Sequence, residues 1–375
     1  MASLGFPRMH KEESERRAFL PDFFAALEKT GLPVALEKGY GSRLGFEEAD
    51  YLGANKHARI VTQKEAFAQD IVSVLRSPEV NELKLMKRGA VLLSMLHYPT
   101  RAMRVELLKK RGIRGVSLDS LRDDFLQRIV YNPRGTSENG MEIAFKELAK
   151  VRKNFFSPRR LPLRVSIIGM GMIGLRAARS AGKYGSPELN DLAAERGARG
   201  VIVRLLPRSV TADRKLMEKL LKTSDILVDA STRDNPYAYI VDNDQLGQLK
   251  PDAVILDLTA DPYLVDDAGV QVKAFEGIPT GDLNKPVFYP DDPAYDAIPA
   301  GVRTTNRRTV VSCNAWPGVK PEECMRLYGI QILPILTALA AKDLGSMSID
   351  SPDYFERAIA RATVEYFERY DKPRS

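Results

Sequence analysis

The segment Val165-Ser166-Ile167-Ile168-Gly169-Met170-Gly171-Met172-Ile173-Gly174 constrains the fold more tightly than any other part of the chain. An apolar, β-branched run ends in glycines spaced G-x-G-x-x-G, and Leu175-Arg176-Ala177-Ala178-Arg179 follows with helical character. Strand, tight glycine turn and helix, in that order, are what a dinucleotide pyrophosphate requires. Gly169 permits the turn, Gly171 lets the backbone approach phosphate oxygens, and Gly174 lets the helix pack closely. The first N–H groups of the helix, Met172 and Ile173 among them, and its dipole then face the anion. The competing reading is a ligand-free α/β corner, since such corners also favour glycine.

The next corner bears on the choice of dinucleotide. In NAD-binding units an acidic residue at the end of the second strand accepts the ribose hydroxyls. Here that corner reads Val203-Arg204-Leu205-Leu206-Pro207-Arg208-Ser209, with no carboxylate. Arg208 and Ser209, with Arg204 or Arg214 in support, are candidates to hold a 2′-phosphate, because a guanidinium fork binds phosphate bidentately. NADP(H) is therefore favoured over NAD(H), against the alternative of ordinary surface arginines. Ser231 and Thr232 follow the expected strand Asp225–Ala230, where contacts to the cofactor ribose fall.

At 375 residues the chain is long enough for two domains, each with its own core. A hydrophobic share of 44% with 28% charged residues fits a globular protein. The net charge of +7 is spread over 56 basic and 49 acidic residues, as in Lys11-Glu12-Glu13-Ser14-Glu15-Arg16-Arg17. With no aromatic–basic interleaving, no nucleic-acid partner is expected. Two cysteines, Cys313 and Cys324, read as packed thiols, and three histidines form no metal constellation. No apolar run reads as long enough for a bilayer, and the first residues lack a signal-peptide core. A cytoplasmic, metal-free homo-oligomer with no membrane partner is the expectation.

Strands are expected at Pro33–Glu37, Asp70–Leu75, Ala90–Met95 and Arg114–Leu118, with helices at Pro21–Thr30 and Thr100–Arg111. The polar stretch Tyr131–Gly140 reads as the crossing between domains, followed by a helix from Met141 to about Val151. Further strands are expected at Gly200–Leu205, Asp225–Ala230 and Ala253–Leu258. The break Tyr184-Gly185-Ser186-Pro187 and a second helical piece, Glu188–Glu195, make an insertion after the glycine helix. Helices return at Gly329–Ala341 and Tyr354–Arg369. The fold class is α/β, with two Rossmann-like domains.

Motifs at both ends resemble the alanine dehydrogenase/transhydrogenase-like family, which includes lysine-forming saccharopine dehydrogenase and carboxyethyl-ornithine synthase. They are Gly5-Phe6-Pro7 through Glu15-Arg16-Arg17-Ala18-Phe19-Leu20-Pro21, Glu37-Lys38-Gly39-Tyr40-Gly41 with Leu44-Gly45-Phe46 and Asp50-Tyr51, and Leu93-Ser94-Met95-Leu96-His97. Leu256-Asp257-Leu258-Thr259-Ala260-Asp261 and Trp316-Pro317-Gly318-Val319-Lys320-Pro321 continue the resemblance in order. It implies a substrate domain built from residues 1–135 and 312–375, with a dinucleotide-binding domain, 136–311, inserted between them. There are departures: Arg76 stands where the family has a substrate lysine, and Ala315, beside Asn314, where an asparagine is usual.

The resemblance implies hydride exchange between an amino acid and a nicotinamide through an imine. His97, at the end of an apolar strand, is the acid/base, a role to which an imidazole side chain is suited. Asp261 assists, whereas Asp257, inside its strand, reads as structural. Arg17 binds the substrate carboxylate, unless it is only a surface partner for Glu13 or Glu15. Arg76 assists or holds a second carboxylate. The expected activity is an NAD(P)-dependent amino-acid dehydrogenase. An opine-type reductase joining ornithine or lysine to a 2-oxo acid is the alternative, and a non-catalytic dinucleotide-binding protein is the third.

Overall fold

Short apolar strands alternating with helices build two six-stranded sheets, one in each of two units and parallel but for one edge strand, in a computed structural model that describes residues 2–10, 13–233, 235–266 and 269–372. Lys11 and Glu12 of the charged opening lie outside the described residues. One unit comprises Met1–Asn132 with Lys320–Ser375, the other Pro133–Val319. The expected divisions at 135/136 and 311/312 are corrected by secondary structure. The first falls inside a helix, Pro133–Val151, and the second inside a strand, Thr309–Ser312, that is paired on both sides.

The first unit has β1 (Leu4–Phe6), β2 (Val34–Glu37), β3 (Ala58–Val61), β4 (Ile71–Arg76), β5 (Val91–Met95) and β6 (Arg114–Ser117), ordered β3-β2-β1-β4-β5-β6 and parallel throughout. The runs in β4 and β5 lack polar alternation because helices cover both faces of a parallel sheet. Phe6 makes edge-on contacts with Phe19, Phe23 and Phe24, tying β1 to helix Pro21–Glu28. That helix packs beside Pro321–Ala341, whose Met325, Tyr328, Ile332, Ile335 and Leu336 lie in the same core.

Two expectations change here. Pro321–Ala341 is long and apolar enough to cross a bilayer by length and composition alone, contrary to the reading that no run is. The expected single helix Tyr354–Arg369 is broken into Tyr354–Arg361, Val364–Tyr366 and a wider turn, Phe367–Asp371. At the break the Ala362 carbonyl accepts the Ser117 N–H at 2.8 Å, and Thr363 bridges to Val116. The break thus caps the open edge of β6.

The second unit has β7 (Leu163–Ile168), β8 (Val201–Leu206), β9 (Ile226–Asp229) and β10 (Val254–Asp257), then β11 (Leu264–Asp266), β12 (Gly269–Gln271), β13 (Val287–Phe288) and β14 (Thr309–Ser312). The main sheet is ordered β13-β14-β10-β9-β7-β8, with only β13 antiparallel; β11 and β12 form a separate antiparallel pair. The insertion after the glycine helix is present as helix Pro187–Glu195, capped by the Ser186 hydroxyl.

The polar stretch 131–140 is helix from Pro133 onward, not a linker. Its polar residues are used inward. The Ser137 hydroxyl donates to the Pro133 carbonyl at 2.7 Å, and Asn139 Nδ2 donates to the Trp316 carbonyl at 2.9 Å. Gly140 faces β10 so closely that a Cβ there would lie 2.5 Å from Leu258 Cδ2. Small and polar residues that resemble a loop are in fact a packing face.

Candidate active site

In the first unit three neighbouring strands end in residues equipped for chemistry. Arg76 closes β4, His97 lies two residues past β5, and Asp119 lies two past β6. The C-terminal edge of a parallel sheet is where α/β proteins place ligands. His97 sits in the left-handed region, with φ of +50°. Asp119 holds it there. Its Oδ1 accepts the His97 N–H at 3.2 Å, and its Oδ2 is 3.4 Å from the imidazole Nδ1. The Ser117 hydroxyl donates to the same Oδ1 at 2.7 Å.

Burial alone would raise the pKa of Asp119, but hydrogen bonds from His97 and Ser117 outweigh it and hold the carboxyl well below the usual range. A permanent carboxylate at Nδ1 favours the tautomer that carries hydrogen there, leaving Nε2 to accept and return a proton. The His97 side chain is 53% exposed, so it is accessible to a substrate. Asp119 was not anticipated from sequence; the available signal was a carboxylate just past an apolar strand, Val116-Ser117-Leu118-Asp119.

Arg17 pairs with Glu15, as the competing reading supposed, but the pair is buried and not on the surface. Arg17 Nε donates to Glu15 Oε1 at 2.8 Å and Nη2 to Oε2 at 2.5 Å. Arg76 Nη1 lies 3.6 Å from the same Oε2. Burial would raise the pKa of Glu15, but Arg17 and then Arg76 hold it below its ordinary value. One fixed carboxylate therefore orients two guanidinium groups, and the Nη1 donors of Arg17 are not used by Glu15 in this pair. Arg8, Glu15, Arg17, Tyr40 and Arg43 line a shallow pocket beside the Gly39–Ser42 loop.

In the second unit the three glycines behave differently from one another. Gly169 has φ of +109°, and a Cβ there would lie 2.2 Å from the Ala230 carbonyl oxygen. At Gly174 a Cβ would meet the Gly169 carbonyl oxygen at 2.0 Å. A Cβ on Gly171 would meet nothing within 4 Å. Two glycines are demanded by the protein itself, whereas the middle one faces open space. Helix Met172–Ala181 begins directly after it with no side-chain cap, so Met172 and Ile173 present backbone N–H groups there. The residues present fit a dinucleotide pyrophosphate.

Arg208 and Ser209 are exposed at the start of the short helix Arg208–Thr211, immediately past β8. Arg204 and Arg214 are committed elsewhere, which corrects the expectation that either supports them. Arg204 Nη1 donates to Thr223 Oγ1 at 2.8 Å, and Arg214 pairs with Asp242 and Glu218.

Thr232 is exposed past β9, but the Ser231 hydroxyl donates to Asp229 Oδ1 at 2.6 Å. Asp261 is tethered, its Oδ2 lying 2.8 Å from Arg233 Nη2. Arg233 Nη2 also donates to the Val272 carbonyl at 2.6 Å.

Beneath these loops lies a network that sequence reasoning missed. Asp229 and Asp257 end adjacent strands in register, and Ser312 of β14 continues the row. Lys273 Nζ, 1% exposed, lies 2.7 Å from Asp257 Oδ2. Asp257 was read as structural and Asp229 was not singled out. The signal was the pairing of two apolar strands that both close on aspartate.

Comparison with known proteins places these features in context. Residues 5–130 match the model of the alanine dehydrogenase/PNT N-terminal domain. The NAD(P) transhydrogenase subunit alpha of Haemophilus influenzae is 24% identical over 390 residues, covering 95% of this chain and 70% of the relative. The alanine dehydrogenase of Staphylococcus saprophyticus is 25% identical over 279 residues, covering 69% of this chain and 72% of that enzyme. A solved structure of an L-alanine dehydrogenase superposes with a TM-score of 0.71 at 20% identity, covering 96% of this chain and 94% of the other, which shows a shared fold.

Proposed function

From the match of residues 5–130 to the alanine dehydrogenase/PNT N-terminal domain we propose that the protein is an NAD(P)-dependent oxidoreductase acting at the α-carbon of an amino acid. The observation that carries this reading is the row of strand ends in the first unit: a half-exposed imidazole with its Nδ1 beside a buried carboxylate, on the same sheet edge as Arg76. His97 exchanges a proton with the substrate, and Asp119 sets its tautomer. Arg17, oriented by Glu15, binds the substrate carboxylate, and Arg76 supports it.

In the second unit Gly169, Gly171, Met172, Ile173 and Gly174 hold the pyrophosphate, and Ser231 and Thr232 the ribose. Arg208 and Ser209 favour a 2′-phosphate, hence NADP(H), with NAD(H) as the other option. When bound, the dinucleotide supplies or accepts a hydride. Asp261, oriented by Arg233, assists proton transfer on the amine or on water.

One observation favours a second reading, an opine-type reductase that joins an amino acid to a 2-oxo acid. An arginine side chain does not shuttle protons as a lysine can, so Arg76 is suited to hold a second carboxylate. The test is to follow NADPH, and separately NADH, oxidation on adding pyruvate with ammonium, or with ornithine or lysine and no ammonium. Oxidation only with ammonium establishes the dehydrogenase; oxidation only with a diamino acid establishes the reductase. Dinucleotide binding without turnover in any arm would argue for the non-catalytic role instead.

A further inference from the structure

The row of acids across the second sheet contains one more hydrogen-bonding vacancy than it has hydrogens, and that mismatch has a consequence. Asp257 is held as an anion by four donors. Its Oδ1 accepts the N–H groups of Thr259 at 3.1 Å and Ala260 at 2.7 Å, and its Oδ2 accepts Lys273 at 2.7 Å and the Ser312 hydroxyl at 2.9 Å. Asp229 Oδ1 is likewise occupied, by the Ser231 N–H at 3.0 Å and its hydroxyl at 2.6 Å. Between the two acids stands Thr259 Oγ1, 3.1 Å from Asp229 Oδ2 and 3.0 Å from Asp257 Oδ1.

A hydroxyl has a single hydrogen and can donate to only one of these oxygens. With both carboxylates ionised, the other contact would set a lone pair against a buried negative oxygen, and one lysine would face two charges. An additional proton on Asp229 Oδ2 removes both conflicts: it donates to Thr259 Oγ1, which donates to Asp257 Oδ1, whose charge Lys273 balances.

We propose that in mildly acidic solution Asp229 is carried as the neutral acid at the head of an Asp229–Thr259–Asp257–Lys273 chain, and that this proton is released to solvent when a dinucleotide bearing a positive ring charge binds. The second part rests on the dinucleotide reading above. The loops at issue are Ser231–Arg233 and Thr259–Asp261, both anchored to the chain's carboxylates, and the first carries residues assigned to the cofactor. The charged groups facing Asp229 are Asp257 on β10 and, across it, Lys273; the Arg233–Asp261 pair sits on the two loops. In the free protein burial and then the neighbouring Asp257 raise the Asp229 carboxyl to about 6, so the proton is exchangeable in an ordinary working range. Asp229 is a positioning residue: through Thr259 and Ser231 it acts on the loops.

The ligand-free protein, labelled with 13C at aspartate carboxyls, tests the first part by NMR between pH 4.5 and 8 for the unaltered chain and Asp229→Asn. A carboxyl that titrates near 6, absent in Asp229→Asn, is expected. No such resonance in a folded protein would overturn the proposal. Asp229→Asn should fold, because an amide donates to Thr259 and accepts from Ser231 as the neutral acid does; loss of folding in that variant would also count against it. The second part is read by calorimetric binding of NADP+ and NADPH in buffers of different ionisation heat. Affinity for NADP+ should rise about three- to tenfold from pH 5 to pH 7 with proton release, affinity for NADPH should change little, and Asp229→Asn should abolish the difference. Binding of both forms without proton release overturns the coupling. A titrating Asp229 in a protein that binds no dinucleotide would instead sink the proposed function and leave the buried proton in place.

Discussion

At the edge of the first sheet Asp119 accepts the N–H of His97, and at the edge of the second Asp257 accepts the N–H of Ala260. Both donors sit in the left-handed region, with φ of +50° and +51°. A β-carbon disfavours that conformation, and a fixed carboxylate compensates by giving the backbone N–H a charged acceptor. The surroundings then diverge. Asp119 faces an imidazole that is half in solvent, whereas Asp257 is enclosed with Lys273 and a second acid. The same local device therefore serves proton exchange at one edge and a framework of buried charge at the other. Substitutions at the first should cost turnover, and loss of the Asp257 charge at the second should cost stability.

The largest expected effect is at the first edge. His97→Gln should lower kcat by about 10²- to 10⁴-fold, the usual share of a general acid/base, with thermal stability close to that of the parent. Asp119→Asn should cost less, about 10- to 100-fold, because the imidazole remains while its tautomer is no longer fixed. Steady-state kinetics beside a melting curve separates these outcomes. A His97→Gln protein with parental kcat would remove the distinction between the two edges.

At the second edge the order reverses. Asp257→Asn leaves Lys273 buried without its counter-charge and should destabilise the protein by about 3–5 kcal/mol. Chemical denaturation at pH 5, where Asp229 is protonated, should show the shift in midpoint, alongside a change of less than about 1 kcal/mol for Asp229→Asn, in which the amide replaces a neutral acid. Equal losses at both positions would mean that the two acids share their charge evenly.

This division was only partly legible in the sequence. The glycine turn and the apolar strands were readable because backbone geometry and burial both leave periodic traces, as at Val165–Gly174. His97 could be singled out because it closes such a strand and because Leu93–His97 resembles the family's motif. Asp119 and Asp229 could not, since their importance comes from partners fixed by tertiary register: Asp229 meets Asp257 only because β9 and β10 are aligned end to end. Gly140 and Ser137 misled for the opposite reason, as small polar residues that signal a loop in isolation but serve as a helix face where another element approaches closely. Likewise the break at Ala362 has no trace in local propensity; it exists because β6 has an edge to cover.

The two acids also predict opposite responses to pH. Asp119 titrates below its ordinary value of 3.8, so its contribution is present above that pH and is lost as the medium becomes more acidic. Asp229 titrates above it, at about 6, so the folded protein retains a proton that the unfolded chain gives up. Stability from Asp229 is full below pH 4 and declines as pH rises towards 6, by about 1–3 kcal/mol in all. Denaturation midpoints taken from pH 4 to 7 should therefore fall less steeply, or rise, in Asp229→Asn relative to the parent. Parallel curves would remove Asp229 from the account.

The smallest effect isolates the backbone device itself. Replacing Ala260 by glycine removes a left-handed alanine, whose conformation costs roughly 1–2 kcal/mol, and adds backbone entropy to the unfolded chain worth about 0.5–1 kcal/mol. The Ala260 N–H would still donate to Asp257. The net should be a gain of about 0.5 kcal/mol, measurable as a small upward shift in the denaturation midpoint. His97 offers no such clean test, because its side chain has chemistry to lose. A loss of more than about 1 kcal/mol at Ala260→Gly would mean that the methyl group packs in a way that outweighs the strain, and that the carboxylate at this edge secures the loop without being needed to hold an unfavourable conformation.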